Sequence, residues 1–225
     1  MVFNLNNAKN FRAETKEVII VEGYMDVVSL HCAGIKNVIS NSGTALTEGQ
    51  IELIWKFFSN PVICLDGDVS GQNAALRIAE RLFSMISENN KIFFSILPQG
   101  EDPDDYIKKN GKESFVKLLQ EKKIIQQYIW DEYASKVEKN NPFAISKFEK
   151  EIKKMCFSIK DEILRKYILE EFLEKIKSLT PIQSTKKNFK YYKQKDFKIL
   201  NVTKQIFKKK NKFTKAELKE NSILY

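Results

Sequence analysis

The chain of 225 residues contains one histidine, His31, and only three cysteines, Cys32, Cys64 and Cys156. These cysteines are far apart and have no paired spacing, so the sequence offers no zinc-ligand set and no disulfide framework. We interpret His31 as a packing or surface residue. No run of 18 apolar residues is present, and the first residues lack the apolar region of a signal peptide. The sequence therefore predicts a cytoplasmic protein without a membrane span.

What the chain does contain is six acidic residues in three short clusters, each directly after a predicted buried strand. Like charges held close together raise one another's pKa, so a fold tolerates such clusters mainly when a cation neutralises them. The donors are all carboxylate oxygens, which favours Mg²⁺ or Mn²⁺ over zinc or copper. The candidate metal ligands are Glu22, Asp26, Asp66, Asp68, Asp102 and Asp104.

The first cluster follows the β-branched run at residues 18–21, which is typical of a buried parallel strand. Glu22 ends the strand, and Gly23 permits a sharp turn into a helix predicted over residues 24–32. Asp26 then lies in the first turn of that helix, where the macrodipole favours a carboxylate. The alternative, a surface glutamate and an ordinary helix-start acid, stays open for this cluster alone.

The second cluster lies between an apolar strand at residues 61–65 and a helix predicted over residues 72–86. An Asp-x-Asp turn at the carboxyl end of a strand directs two carboxylates into the crevice where open α/β sheets bind ligands. The alternative is an ordinary loop in which aspartate forms the turn and caps the helix. The residues expected at a ligand are two carboxylates and two glycines that allow close backbone approach: Asp66, Asp68, Gly67 and Gly71.

The third cluster follows the apolar strand predicted at residues 92–97 and precedes a helix expected to begin near Tyr106. Pro103 pushes the preceding Asp102 out of the α region, so the acids are held in place. An acid-rich helix start stabilised by the helix dipole would account for Asp104 without a metal, and this alternative stays open.

These motifs together resemble the Toprim domain of bacterial DnaG-type DNA primases. Residues 17–119 contain VEGYMDV, SGTALT at 42–47, LDGDVSGQNAA and LPQGEDPDDYI, in the family's order and spacing. The resemblance implies an α/β fold: a short parallel sheet flanked by helices, followed by a helical extension and a basic tail. Carried over position by position, it makes Glu22, Asp66 and Asp68 catalytic, all six acids metal ligands, and Gly23, Gly67 and Gly71 the cofactor-binding loop glycines. Arg77 is interpreted as a solvated helix charge rather than a phosphate ligand.

The resemblance further implies metal-dependent nucleotidyl transfer. The substrates would be nucleoside triphosphates and a single-stranded DNA template, the product a short RNA primer, and the replicative helicase a partner. Glu22 is either a metal ligand or a general base, and the sequence does not choose. Two other interpretations stay open: a Toprim nuclease or topoisomerase-like phosphoryl-transfer protein, and a non-catalytic module that binds the replication machinery.

Four regions are predicted along the chain. They are residues 1–16, from an upstream polymerase subdomain; 17–119, the Toprim domain; 120–180, a helical extension; and 181–225, a basic linker leading into a helicase-binding region. Compared with the family, we expect the chain to be truncated at both ends and to have little activity alone. Helices are predicted at 123–137, 142–156 and 161–178. An apolar stripe in the last of them, including Ile163, Tyr167, Ile168, Phe172 and Ile176, is expected to pack in the core.

The basic character of the chain is concentrated in its last region. Residues 181–225 contain thirteen lysines and three acids, which gives +10, whereas the whole chain carries +9. The first 180 residues are therefore close to neutral. Lysines interleaved with aromatic residues are able to hold nucleic acid through phosphate attraction and base stacking. A solvated linker is the preferred interpretation.

Overall fold

The computed structural model describes residues 2–41 and 46–179, which lie within one structural unit. The basic region at 181–225 and most of the SGTALT motif are outside the described residues. The strands are β1 (Glu17–Val21), β2 (Val38–Ser40), β3 (Asn60–Leu65), β4 (Phe93–Ile96) and β5 (Lys123–Ile124). The helices are α1 (Leu5–Ala8), α2 (Tyr24–Cys32), α3 (Glu48–Trp55), α4 (Val69–Leu82), α5 (Pro103–Gln120), α6 (Ile125–Ala134), α7 (Pro142–Ser158) and α8 (Glu162–Leu179).

The five strands form one sheet in the order β2-β1-β3-β4-β5. The first four strands are parallel, and β5 pairs antiparallel with β4. The expected short parallel sheet is thus confirmed, with one addition. The prediction of a helix from residue 123 was wrong at its start, because Lys123 and Ile124 pair with Phe94 and Phe93 before α6 begins. A two-residue strand has too short a pattern to be told from a helix start in sequence.

Both faces of the sheet are covered, as its continuous apolar strands require. Side chains of β1 alternate between the faces: Val18 and Ile20 belong to one apolar core, and Ile19 and Val21 to another. The first core includes buried residues of α3, α4, α6, α7 and α8, and the second includes residues of α2 and α5. The helices α2 and α5 therefore pack on the same face of the sheet, and the loops that lead into them carry the first and third acidic clusters.

Two helices begin earlier than predicted because the acidic residues themselves cap them. The helix expected from residue 72 begins at Val69 with Asp68 as its N-cap, and the helix expected near Tyr106 begins at Pro103 with Asp102 as its N-cap. Asp102 is extended, at φ −102° and ψ 170°, as the following proline dictates. The helix α5 is interrupted at Gly111, where φ is +78°.

The segments on either side of the sheet region pack against it. Phe3 pairs with Ser40 at the outer edge of β2, and Ala8 is fully buried. In α8, Phe172 and other members of the predicted stripe are buried, namely Ile168 and Ile176. The same prediction was wrong for Ile163 and Tyr167, which are exposed because they lie at the outer side of the stripe. Of the residues described, no helix is long and apolar enough to cross a membrane.

Candidate active site

The three acidic clusters meet at one edge of the sheet. Strands β1, β3 and β4 are adjacent and parallel, so their carboxyl ends lie side by side. The register aligns Ile20 with Ile63 and Leu65 with Ile96. Each strand is followed directly by its acidic loop, so the topology brings together acids that are up to 82 positions apart in the chain. This is the edge at which open α/β sheets bind ligands.

Asp26 is the most deeply buried of the six acids, with 8% of the residue exposed. Its Oδ2 accepts a hydrogen bond of 2.9 Å from the backbone N–H of Gly23, which closes the start of α2. The backbone N–H of Asp104 at the start of α5 also bonds to this carboxylate. Burial nevertheless raises the pKa of Asp26, with repulsion from Asp102 and Asp104 acting in the same direction. Asp26 thus fastens two helix starts to each other.

Asp66 is the acid whose ionised form is least favoured. Burial and the negative charges around it raise its pKa to about 6. The repelling neighbours, in decreasing order of effect, are Glu22, Asp26, Asp102 and Asp68. The pKa of Glu22 is also raised, by burial first and then by Asp68 and Asp26. Acids from all three loops therefore act together on Asp66, and no positive charge in the described part of the chain offsets their effect on its pKa.

Asp68 and Asp102 also serve as helix caps. The Oδ1 of Asp68 accepts a 2.6 Å hydrogen bond from the N–H of Gly71, and the Oδ1 of Asp102 accepts a 2.7 Å bond from the N–H of Asp105. The capping interpretation and the ligand interpretation are compatible, because each cap uses one oxygen of its carboxylate. The caps fix the direction in which both side chains point.

Asp104 has a different environment from the other acids. Its Oδ1 accepts a hydrogen bond from the hydroxyl of Ser29 on α2, and its Oδ2 lies 2.6 Å from the Nζ of Lys108. The hydrogen bond from Lys108, and then that from Ser29, lower the pKa of Asp104. Sequence reasoning missed both partners. The four-residue spacing of acid and lysine on one helix was a usable signal for Lys108, whereas Ser29 is 75 positions away.

The loops that carry the second and third clusters are locked to each other. The N–H of Gly67 donates a 3.0 Å hydrogen bond to the carbonyl oxygen of Glu101. A Cβ at Gly67 would lie 1.9 Å from the carbonyl oxygen of Pro98, and one at Gly71 would lie 2.3 Å from that of Asp66. Glycine is therefore required at both positions, because any side chain would overlap the protein's own backbone. At Gly23 a Cβ would lie 2.9 Å from a carboxylate oxygen of Asp26.

Glu101 is a further acid at this edge that sequence reasoning did not select. Its Oε1 lies 2.5 Å from the Nζ of Lys109, and its Oε2 is buried without a hydrogen-bond partner in the described part of the chain. Arg77 is exposed on α4, in agreement with its interpretation as a solvated charge.

The donor set at this edge suits a hard divalent cation. It consists of carboxylate oxygens, and the raised pKa of Asp66 reports negative charge that such an ion would neutralise. Within residues 2–41 and 46–179, no group of three or more Asp, Glu, His or Cys side chains is arranged so that it could hold a metal ion together. Mg²⁺ commonly keeps several waters and takes only one or two carboxylates, so the residues present fit it.

The chain is similar to known proteins both in sequence and in structure. A family model described as Toprim-like matches residues 19–107. A DNA primase from Rickettsia bellii is 38% identical over 159 residues, which cover 70% of this chain and 26% of that protein. The structure of the DnaG catalytic core has a TM-score of 0.74 at 29% identity, covering 79% of this chain and 57% of that one. A DnaG primase catalytic domain bound to single-stranded DNA has a TM-score of 0.71 at 28% identity, covering 77% and 56%.

The Toprim-like match begins in β1 and ends in the first half of α5. The chain spans about a quarter of the length of the curated relative and somewhat more than half of the solved catalytic domains.

Proposed function

From the relationship of this chain to the Toprim-containing catalytic core of bacterial DnaG-type DNA primases, we propose that it provides the metal-binding part of a nucleotidyl-transfer site. The site would build short RNA primers on single-stranded DNA during replication. The observation that carries this proposal is the meeting of three acidic loops at the carboxyl ends of β1, β3 and β4, with their charges uncompensated around Asp66.

In this proposal Glu22, Asp66 and Asp68 act at the reacting phosphate, and Asp26, Asp102 and Asp104 complete the ligand set. Bound Mg²⁺ or Mn²⁺ would neutralise charge on the phosphate oxygens and activate the attacking hydroxyl. Asp66 must be ionised to bind a cation, and its pKa of about 6 allows this at neutral pH. Glu22 has a raised pKa in the same environment, which supports a general-base role as well as a ligand role.

The partners follow from the same relationship. The related catalytic domain described as bound to single-stranded DNA supports a DNA template as one partner. Nucleoside triphosphates and the replicative helicase are proposed as the others, and the cytoplasm as the compartment. The nuclease or topoisomerase-like alternative and the non-catalytic alternative are not favoured, because the relatives described above are primases.

Calorimetric titration with Mn²⁺ tests the metal site. The double substitution Asp66→Asn, Asp68→Asn keeps an oxygen that accepts the N-cap hydrogen bond, so the fold is retained while two charges are removed. We expect Mn²⁺ affinity to fall at least about tenfold. The matched control is Asp105→Asn, an exposed acid at the start of α5, which should bind as the unchanged protein does. Equal affinity in the double variant would refute the metal site.

A chimera tests the reaction. The part of this chain that matches the Rickettsia bellii primase would replace the corresponding segment of that protein. Primer synthesis by the chimera would then be measured on single-stranded DNA. We expect primers from the chimera and from its Asp105→Asn version, and none when it carries Glu22→Gln. A chimera that folds and binds Mn²⁺ but makes no primer would contradict the proposed reaction.

A further inference from the structure

One candidate ligand, Asp104, already holds a cation that belongs to the protein. The Nζ of Lys108 lies 2.6 Å from Asp104 Oδ2, one helical turn further along α5. The hydroxyl of Ser29 occupies the other oxygen. Both oxygens of this carboxylate are therefore engaged, one of them by a full positive charge.

Asp104 is unusual among the six acids in this respect. In the part of the chain that the structure describes, the ion pairs include Lys108 with Asp104, and none involves Glu22, Asp26, Asp66, Asp68 or Asp102. Asp104 nonetheless belongs to the same site, because its backbone N–H bonds to the carboxylate of Asp26 and its charge acts on that group. The positive charge of Lys108 would therefore oppose the binding of a cation by these acids.

The exposed side chain of Lys108 is able to move away from Asp104. It is 64% exposed, and it is held to the site through Asp104. An exposed ion pair of this kind contributes little to stability, so breaking it requires little energy. A divalent cation at the same carboxylate would repel the ammonium group and compete directly for Oδ2.

We propose that Lys108 is a built-in counter-ion that occupies Asp104 and is displaced when a divalent cation binds to the acidic loops. This inference rests on the proposed function, since it requires the acids to bind a metal. Lys108 acts through Asp104 and is therefore a positioning residue. Its effect is to weaken metal binding by the acidic loops, because its ammonium group competes for Asp104.

The chain offers a matched control. Lys109 is the next residue on α5, is 69% exposed, and pairs with Glu101 at 2.5 Å. Replacing either lysine by methionine removes the same charge and a similar ion pair, but only Lys108 touches a candidate ligand. Substitutions at such exposed positions usually change the free energy of unfolding very little, so both variants should fold.

The first measurement is Mn²⁺ affinity, determined by calorimetry at low salt. We expect Lys108→Met to bind about threefold to tenfold more tightly than the unchanged protein. Lys109→Met and Lys108→Arg should stay within about twofold, because the first leaves Asp104 paired and the second retains the competing charge. Unchanged or weaker binding by Lys108→Met would overturn the inference, and so would an equal gain in Lys109→Met. If the unchanged protein and every variant fail to bind Mn²⁺, the proposed metal site fails first.

The second measurement observes the lysine itself. Reductive methylation with a ¹³C label preserves the charge of each lysine, and the Lys108 signal is assigned by its loss in Lys108→Arg. Addition of Mg²⁺ should shift the Lys108 signal towards that of a free, solvated side chain and leave the Lys109 signal in place. A Lys108 signal that does not respond while calorimetry detects Mg²⁺ binding would refute displacement.

Discussion

Replacing Asp66 by asparagine is expected to stabilise the fold at neutral pH while it weakens metal binding. The pKa of this carboxyl rises from an ordinary value of 3.8 to about 6 in the folded chain. Taken at full value, that difference corresponds to about 3 kcal/mol lost from the free energy of unfolding at pH 7. Water screens part of the repulsion at a partly exposed side chain, so we expect a gain of about 1–2 kcal/mol for Asp66→Asn.

The pH dependence gives this prediction its sign. Because the folded-state pKa is the higher one, the folded protein keeps the proton between about pH 4 and pH 6 while the unfolded chain has lost it. The stability associated with Asp66 is therefore fully present below about pH 4 and is lost as the pH rises through 6. Asparagine carries no charge, so the advantage of the variant should appear at pH 7 and vanish near pH 4.

Urea unfolding at pH 4 and pH 7, with and without Mg²⁺, measures all of these quantities. Mg²⁺ should stabilise the unchanged protein by binding to its folded state, and it should reduce or reverse the advantage of the variant. The exposed Asp105→Asn serves as the control and should show no comparable gain. A neutral or destabilising effect of Asp66→Asn at pH 7, or a gain that persists at pH 4, would refute the electrostatic reasoning.

Three further predictions concern packing, a buried hydroxyl and the pH dependence of binding. Gly67→Ala should lower the free energy of unfolding by about 3 kcal/mol or more, because its Cβ would overlap a carbonyl oxygen. Gly49→Ala, on an open helix surface, should raise the free energy of unfolding by about 0.5–1 kcal/mol. Thermal or urea unfolding compares the two variants. Tyr128→Phe should raise the free energy of unfolding by about 1 kcal/mol, because the buried hydroxyl of Tyr128 has no partner in the described structure. Tyr133→Phe should lower it by about the same amount, because the variant loses a 2.6 Å hydrogen bond to a glutamate. The opposite ordering of the two variants in urea unfolding would contradict this prediction. Mn²⁺ affinity should be about tenfold weaker at pH 5 than at pH 7, because Asp66 is mostly protonated at the lower pH; calorimetry showing a flat profile would exclude Asp66 as a ligand.

The sequence was most informative where the chain must bury a strand and then turn. The helix predicted at 24–32 has those bounds in the structure, and the strands predicted before the three acidic clusters are all present. The strand pattern places each acidic cluster at the carboxyl end of a strand, where open α/β sheets bind ligands. That the clusters converge followed from the resemblance to the Toprim domain, because the pattern does not specify which strands are neighbours. The assignment of metal and catalytic roles to individual acids stays a prediction.

The sequence was least informative where the conformation or contact of a residue depends on a partner that is distant in the chain. Lys123 pairs with β4 only because the sheet edge is available there, and nothing in its own neighbourhood indicates a strand. Capping by aspartate stays open in the sequence as an alternative for the second cluster, but the pattern does not indicate where α4 and α5 begin. With Asp68 and Asp102 as N-caps, both helices begin three residues before the predicted positions. The hydroxyl of Ser29 meets Asp104 across 75 positions, a contact that no local pattern encodes.

The hydrogen bond from Gly67 to Glu101 has a consequence for anyone who wishes to transplant this site into another scaffold. With the neighbouring carbonyl of Pro98 packed where a side chain would be, the second and third acidic loops form a single unit of backbone. Grafting the Asp-x-Asp turn alone would leave its central glycine without the surface that shapes it. A designer would have to move both loops together, with β3 and β4 at their present spacing, as one indivisible module.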